Sequence, residues 1–261
     1  MCIFYRTPDR LCDSQDHYQL FTQLSYLRFF SNESLYLKIT IWGSAMLHLE
    51  FLKSLEDDSM LYFKNLNEFE SFYHDFNLYS DWKILTGTPN DRGRKIANRP
   101  YSQRLIKAFE KKSMFRRRLS IGELTSFMDN FYFMSRLFKT LKGKLPLDTL
   151  NEIQIFCEYK IRMSKNRRVD YILLHNEKML LIEFRLSNDF PNTSNVWQKK
   201  ELELIIYKEL ISNYAPKQMK VIVYAFVGMP EYEGNTNIEK HQKYNLDNLE
   251  HLSEYISLYL I

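Results

Sequence analysis

The sequence predicts an α/β protein: a mixed sheet with flanking helices, preceded by a mainly helical N-terminal region. Three observations lead there. The C-terminal part reads as helix, three strands, helix, strand, and its strands are apolar on both faces. Adjacent strands followed by a helical crossover build a mixed sheet covered by helices on both sides. Most of the first 145 residues instead carry apolar side chains at helical spacing. Glycine and proline are scarce, at 7 each in 261 residues, which favours long regular elements over a loop-built scaffold. Hydrophobic residues at 45% and charged residues at 26% exclude disordered and collagen-like chains and suffice for a sizeable core.

Taken in order, SLYLKITIW (34–42) has the β-branched and aromatic content of a strand. SAMLHLEFLKSLEDD (44–58) is expected to be a helix, with Met46, Leu49, Leu52 and Leu55 on one stripe, and SMLYF (59–63) a short strand. Two further helices are expected over 100–112 and 120–142. The second carries Leu124, Phe127, Met128, Phe131, Met134 and Leu137 at helical spacing. Ser120 followed by Glu123 forms a capping-box pattern at its start. GKLP (143–146) marks a boundary between an N-terminal region, 1–145, and a C-terminal domain, 146–261.

Past that boundary, Asp148 opens a short helix within LDTLNEIQIFCEY (147–159), and KIRMS (160–164) reads as a first strand. RRVDYILLH (167–175) and KMLLIEFRLS (178–187) are two strong strands joined by the turn Asn176–Glu177. PNTS (191–194) breaks the chain before the long helix 195–214, and KVIVYAFVG (220–228) is a strand. The stretch 245–261 reads as an amphipathic helix that closes the domain or forms a dimer surface.

Charge separates along the chain. The net +4 comprises seven basic against thirteen acidic residues up to Asp91, eleven basic against one acidic over 92–118, and a balanced remainder. The basic segment contains Arg92, Arg94, Lys95, Arg99, Arg104, Arg116, Arg117 and Arg118, interleaved with Tyr101, Phe109 and Phe115. Such a segment suits a polyanion, because phosphate neutralisation releases counterions and aromatics stack on bases. A solvated helix face plus a basic loop is the alternative. The cysteines, Cys2, Cys12 and Cys157, form neither a disulfide framework nor a zinc knuckle. No run is long and apolar enough for a signal or a membrane span, so the expected setting is cytoplasmic. The six histidines lack metal-ligand spacing, Gly87 and Gly93 flank a turn, and Trp197 reads as a helix staple.

Two acids break the apolar rule. Along 167–175, Val169, Tyr171 and Leu173 alternate with Asp170, Ile172 and Leu174; along 178–187, Leu181, Glu183 and Arg185 share one face. A carboxylate in a strand buried on both sides needs an ion pair, a metal or a cleft. For Glu183 alone, a pair with Arg185 or Arg168 suffices. Two acids on paired strands can also converge on one hard divalent cation.

Asp170, then a strand, a turn and Glu183-Phe184-Arg185, resembles the core of the PD-(D/E)XK nuclease superfamily over about residues 147–228. The resemblance implies a restriction-endonuclease-like αβββαβ core and metal-dependent hydrolysis of phosphodiester bonds, in DNA more than in RNA. It implies Mg²⁺ or Mn²⁺ held by Asp170 and Glu183, with the Phe184 carbonyl as a further ligand. The acid of the preceding helix would be Glu152, with Glu158 as second choice. Lys200, Glu203 and Tyr207 resemble a set that several branches carry on the following helix. The departure is Arg185, which stands where the family has lysine; arginine stays protonated and cannot act as a base. Either Arg185 takes the cationic role, or Lys200 supplies it from the helix, or the site is inactive and the protein binds nucleic acid or serves as an assembly subunit. A protein-interaction module with structural ion pairs, or a homodimer or protein complex formed through the N-terminal region, is the rival from outside enzymology.

Overall fold

Apolar runs rich in β-branched and aromatic residues form the middle of a five-stranded sheet. A computed structural model describes residues 32–75, 93–94, 97–111, 119–162, 164, 167–186, 193–228 and 249–261. In chain order the elements are α1 (Asn32–Asp57), β1 (Leu61–Phe63), α2 (Leu66–Asp75), α3 (Pro100–Lys111), α4 (Ile121–Lys142), α5 (Leu147–Asn151) and β2 (Gln154–Lys160). They continue as β3 (Arg168–His175), β4 (Lys178–Leu186), α6 (Thr193–Ser212) and β5 (Lys220–Gly228). A C-terminal helical stretch over 249–260 ends in a π-helical turn, Ile256–Leu260. Contacts divide the chain into two units, Met1–Leu47 and His48–Ile261, and the second holds the sheet.

The sheet order is β1-β2-β3-β4-β5. The first four strands pair antiparallel, and β5 lies parallel to β4 after the α6 crossover. The architecture is therefore mixed α/β with flanking helices on both faces. On one face Tyr171, Leu173, Leu180 and Ile182 pack with the long apolar stripe of α4. On the other, Ile172, Leu174 and Leu181 pack with Leu204, Tyr207 and Ile211 of α6 and with Phe51 and Leu55 of α1. Gly143–Pro146 is a helix-to-helix turn, and α4 before it shares one core with the strands after it. The C-terminal stretch buries Leu249, Leu252, Ile256 and Leu260 in that core, and Lys144 pins it through Ser253 Oγ at 2.8 Å. No described helix is long and apolar enough to cross a membrane.

Three local expectations change. Residues 34–42 are helix within α1; strand propensity depends on a pairing partner, and none of the five strands of the sheet pairs there. Among the described side chains of α1, Phe51 and Leu55 are buried and Leu52 packs half-buried beside them, while Met46 and Leu49 are exposed. The first strand of the meander is QIFCEYK, expected to be helix, and of KIRMS only Lys160 belongs to it, while Ile161, Arg162 and Ser164 lie in no strand. The run 154–160 is buried on both faces, so its sequence carries no alternation to separate a strand from a buried helix.

Candidate active site

The backbone register brings the two acids together. Tyr171 stands opposite Ile182, so one step further along the antiparallel pair Asp170 meets Glu183. There the carboxylates tie across the strands: Asp170 Oδ2 accepts the Phe184 N–H at 2.7 Å, and Glu183 Oε1 accepts the Asp170 N–H at 3.2 Å. On its other side Glu183 neighbours Ala225 of β5, a side chain too small to cover it. Glu183 is nonetheless only 2% exposed, and Asp170 is half-buried.

The helix α6 delivers a cation to this pair. Lys200 begins the stripe continued by Leu204, Tyr207 and Ile211, at spacings that keep one helix face on the sheet. Its Nζ donates to Glu183 Oε2 at 2.7 Å and lies 3.0 Å from Glu203 Oε2. Tyr207 is buried one turn further along, its hydroxyl pushed up to about 12 by burial and then by Glu183 and Glu203.

A third acid enters from β2. Glu158 has φ 53°, in the left-handed region that side chains seldom adopt. At this level both strands break alternation: Tyr159 and Val169, which pair with each other, pack on the α6 face of the sheet. Val169 therefore does not share a face with Tyr171 and Leu173, as simple alternation predicts. Glu158 is buried and lies 3.2 Å from Arg168 Nη1, while Arg168 Nη2 donates to Glu123 Oε1 at 3.0 Å. Glu123 is also the capping-box acid of α4. A narrow crevice lined by Asn130 and Phe131 of α4 with Cys157, Glu158, Asp170 and Tyr171 has no room for a water molecule.

Buried Glu158 and Glu183 and half-buried Asp170 share the cations Arg168 and Lys200 with Glu123 and Glu203, and proton affinity rises. Burial, then Asp170, pushes the Glu183 carboxyl up to about 8, against the pull of Lys200. Burial and then Asp170 also raise Glu158 well above the carboxylate range, and burial raises Asp170. Burial lowers the Lys200 ammonium, but Glu183 outweighs it and the net direction is up. A neutral Glu183 and a Lys200 stabilised by its charge do not coexist in one protonation state. Lys200 stays charged, and burial together with mutual repulsion raises the proton affinity of the three acids.

The sequence candidates separate accordingly. Asp170, Glu183 and Lys200 come together. Arg185 is exposed. Glu152 caps α5 and sits 3.2 Å from His175 Nε2, at the other end of β3 from Asp170; Glu158 is the acid that lies near Asp170. Neither Arg185 nor Arg168 pairs with Glu183; Arg168 serves Glu158 and Glu123. Of the basic segment, Arg94, Arg99 and Arg104 are exposed, and Arg92, Lys95, Arg116, Arg117 and Arg118 lie outside the described residues, as does the Trp197 side chain. Among the described residues, no three His, Cys, Asp or Glu side chains are arranged to hold a metal ion. No protein-family model matches the chain, and no curated protein matches it.

Proposed function

We propose that the chain is a metal-dependent nuclease that hydrolyses phosphodiester bonds in nucleic acid, DNA in preference to RNA, on a restriction-endonuclease-like core. The observation that carries this reading is the meeting of Asp170 and Glu183 across β3 and β4, with Lys200 Nζ 2.7 Å from Glu183. The order α5-β2-β3-β4-α6-β5, with β5 parallel to β4, supports the core assignment.

The donor types are those a hard cation takes, but among the described residues no third side chain completes the set, and Lys200 already occupies one oxygen of Glu183. Two carboxylates and the Phe184 carbonyl are oxygen ligands, and Mg²⁺ typically takes one or two carboxylates while keeping several waters. Mg²⁺ or Mn²⁺ would supply an acidified water and charge neutralisation at the scissile phosphate. Asp170 and Glu183 would hold it, each kept in place by a main-chain N–H of the facing strand. Lys200 takes the cationic role that the resemblance gives to the residue at 185, and Glu203 orients its ammonium. The basic segment 92–118 would hold the polyanionic strand.

A second reading, a nucleic-acid-binding or assembly subunit without activity, is favoured by the closed ion pair of Lys200 with Glu183 and by the crevice that excludes water. Incubation with plasmid and single-stranded substrates, with and without Mg²⁺ or Mn²⁺, separates the two. Metal-dependent cleavage that disappears in Glu183→Gln is expected. Salt-sensitive binding without cleavage would establish the second reading, and cleavage that survives Glu183→Gln would remove this site from the chemistry.

A further inference from the structure

The two edges of the sheet differ. β1 is three residues long, whereas β5 runs nine residues and pairs with β4 alone among the described strands. Alternate main-chain N–H and C=O groups of β5 are therefore turned outward along about 30 Å. Natural edge strands are guarded by charge, proline or a bulge; between Val221 and Val227 the sequence has no charged residue and no proline. Val223, Tyr224 and Ala225, the middle of β5, are half-buried, while their β4 neighbours Leu181, Ile182 and Glu183 are buried. The helix α6 packs over β5 and β4. Its residues Lys200, Leu204, Tyr207 and Ile211 face the sheet, and Tyr214 turns toward Phe51 of α1, ring centroids 6.1 Å apart. That end of α1 belongs to the β1–β2 side, where the Lys160 N–H donates to the Asp58 carbonyl at 2.9 Å. The opposite flank of α6, toward the open edge, carries Glu201, Ile205 and Lys208 by helical spacing, and Ile205 is 44% exposed.

We infer that β5 is the contact strand of a homodimer, in which two copies pair antiparallel about a two-fold axis at Tyr224 and continue into one sheet. In that register every residue of β5 is paired. Lys220 lies opposite Gly228 and not another lysine, and Tyr224 meets its own copy as an aromatic cross-strand pair. The axis is perpendicular to the sheet, so both α6 helices lie on one face, side by side and antiparallel. Their level follows from Lys200, which reaches Glu183, the neighbour of Ala225; from there the helix runs back toward the start of β5. Leu204 and Ile205 thus stand near the axis. Ile205 meets its own copy at the centre, and on either side Glu201 of each copy faces Lys208 of the other. The surface is complementary to itself in charge as well as in main-chain hydrogen bonding. On the other face Tyr224 leads through Tyr255, at 5.3 Å, to Tyr259, at 4.6 Å from Tyr255 and 47% exposed. With a helical layer on each face the strip is about 25 Å deep, roughly 750 Å² per copy. A stable interface takes about 800 Å² per partner. None of this depends on what Asp170 and Glu183 bind.

Sedimentation equilibrium of the full chain tests this. The wild type is expected to be mainly dimeric at about 10 µM. Ile205→Asp, Glu201→Lys and Lys208→Glu replace side chains that are not buried, and each is expected to weaken the dimer about tenfold. The double variant Glu201→Lys with Lys208→Glu rebuilds both pairs with the signs exchanged and is expected to return to within about threefold of the wild type. Hydrogen exchange reads the strand itself: protection of the 220–228 amides should fall on dilution and in Ile205→Asp. Thermal melts confirm folding of each variant. A dimer indifferent to all three single variants, or a double variant no tighter than either charge reversal, overturns the inference. So does a chain still monomeric at about 100 µM; protection of its 220–228 edge would then assign that edge to residues 229–248 of the same chain.

Discussion

At Glu183, burial and a neighbouring acid favour the neutral carboxyl, while the Lys200 ammonium at 2.7 Å favours the ion. Replacing Lys200 by methionine removes the largest of the influences that favour the ion. The fold is then expected to lose roughly 1–3 kcal/mol, and more at pH about 9 than at about 6, because the stranded carboxyl must ionise in a buried place. Urea melts at the two pH values measure it, and equal losses would show that Lys200 does not carry Glu183's charge. For activity, Lys200→Met is expected to lower cleavage about 10²–10³-fold, whereas Arg185→Ala, at an exposed position, should change it less than about tenfold. A larger effect at Arg185 would return the cationic role to the strand. In the sequence, Lys200 is legible as a lysine on an otherwise apolar helical stripe, whereas Glu158 stands in QIFCEYK, an apolar run with no alternation to mark its acid as a strand residue.

The long helix α4 shows what an element can and cannot announce. Its Ser120–Glu123 capping box forms as spaced, with the Glu123 N–H donating to Ser120 Oγ at 3.2 Å, and its stripe residues are buried. Ser120→Ala is expected to cost about 1 kcal/mol by loss of the cap, measurable by denaturant unfolding. What the spacing did not announce is the approach of Gly93 to the start of the same helix. A Cβ at 93 would lie 2.3 Å from Ile121 Cγ2 and 2.8 Å from the Ile121 carbonyl oxygen. Gly93→Ala is therefore expected to destabilise by about 1–3 kcal/mol through overpacking, and an unchanged melting temperature would refute the close approach. The absence of a side chain at Gly93 lets another segment touch α4.

Across the whole molecule the acids make stability depend on pH with an unusual sign. A carboxyl raised in the folded state binds its proton more tightly there than in the unfolded chain, so folding is favoured while the proton remains. Glu183, raised from 4.5 to about 8, contributes stability that is fully present below about pH 4.5 and lost as pH rises toward 8. Glu158 and Asp170 shift in the same direction. The melting temperature is expected to fall by at least about 4 °C between pH about 5 and about 8, and Glu183→Gln should flatten that slope. A melting temperature that rises over this window would show the acids to be ionised by their partners throughout. If the pair holds a divalent cation, added Mn²⁺ should raise the melting temperature more at the upper pH, where the ligands no longer exchange a proton for the metal.

By itself the sequence determined the long helices α4 and α6, the strands β3, β4 and β5, and the presence of two acids in strands that tolerate none without a partner. These features follow from periodicity and composition within one element, where neighbours i to i+4 decide the outcome. Only the tertiary structure decided that 34–42 joins a helix, that 154–160 is the strand beside β3, and that Glu158, not Glu152, lies near Asp170. Each depends on what a segment packs against, because a run buried on both faces has lost the period that would identify it. The choice of Lys200 over Arg185 is of the same kind. Both cations stand in the sequence near an acid, but the crossover that lays α6 over β4 brings only one of them within hydrogen-bond reach of Glu183.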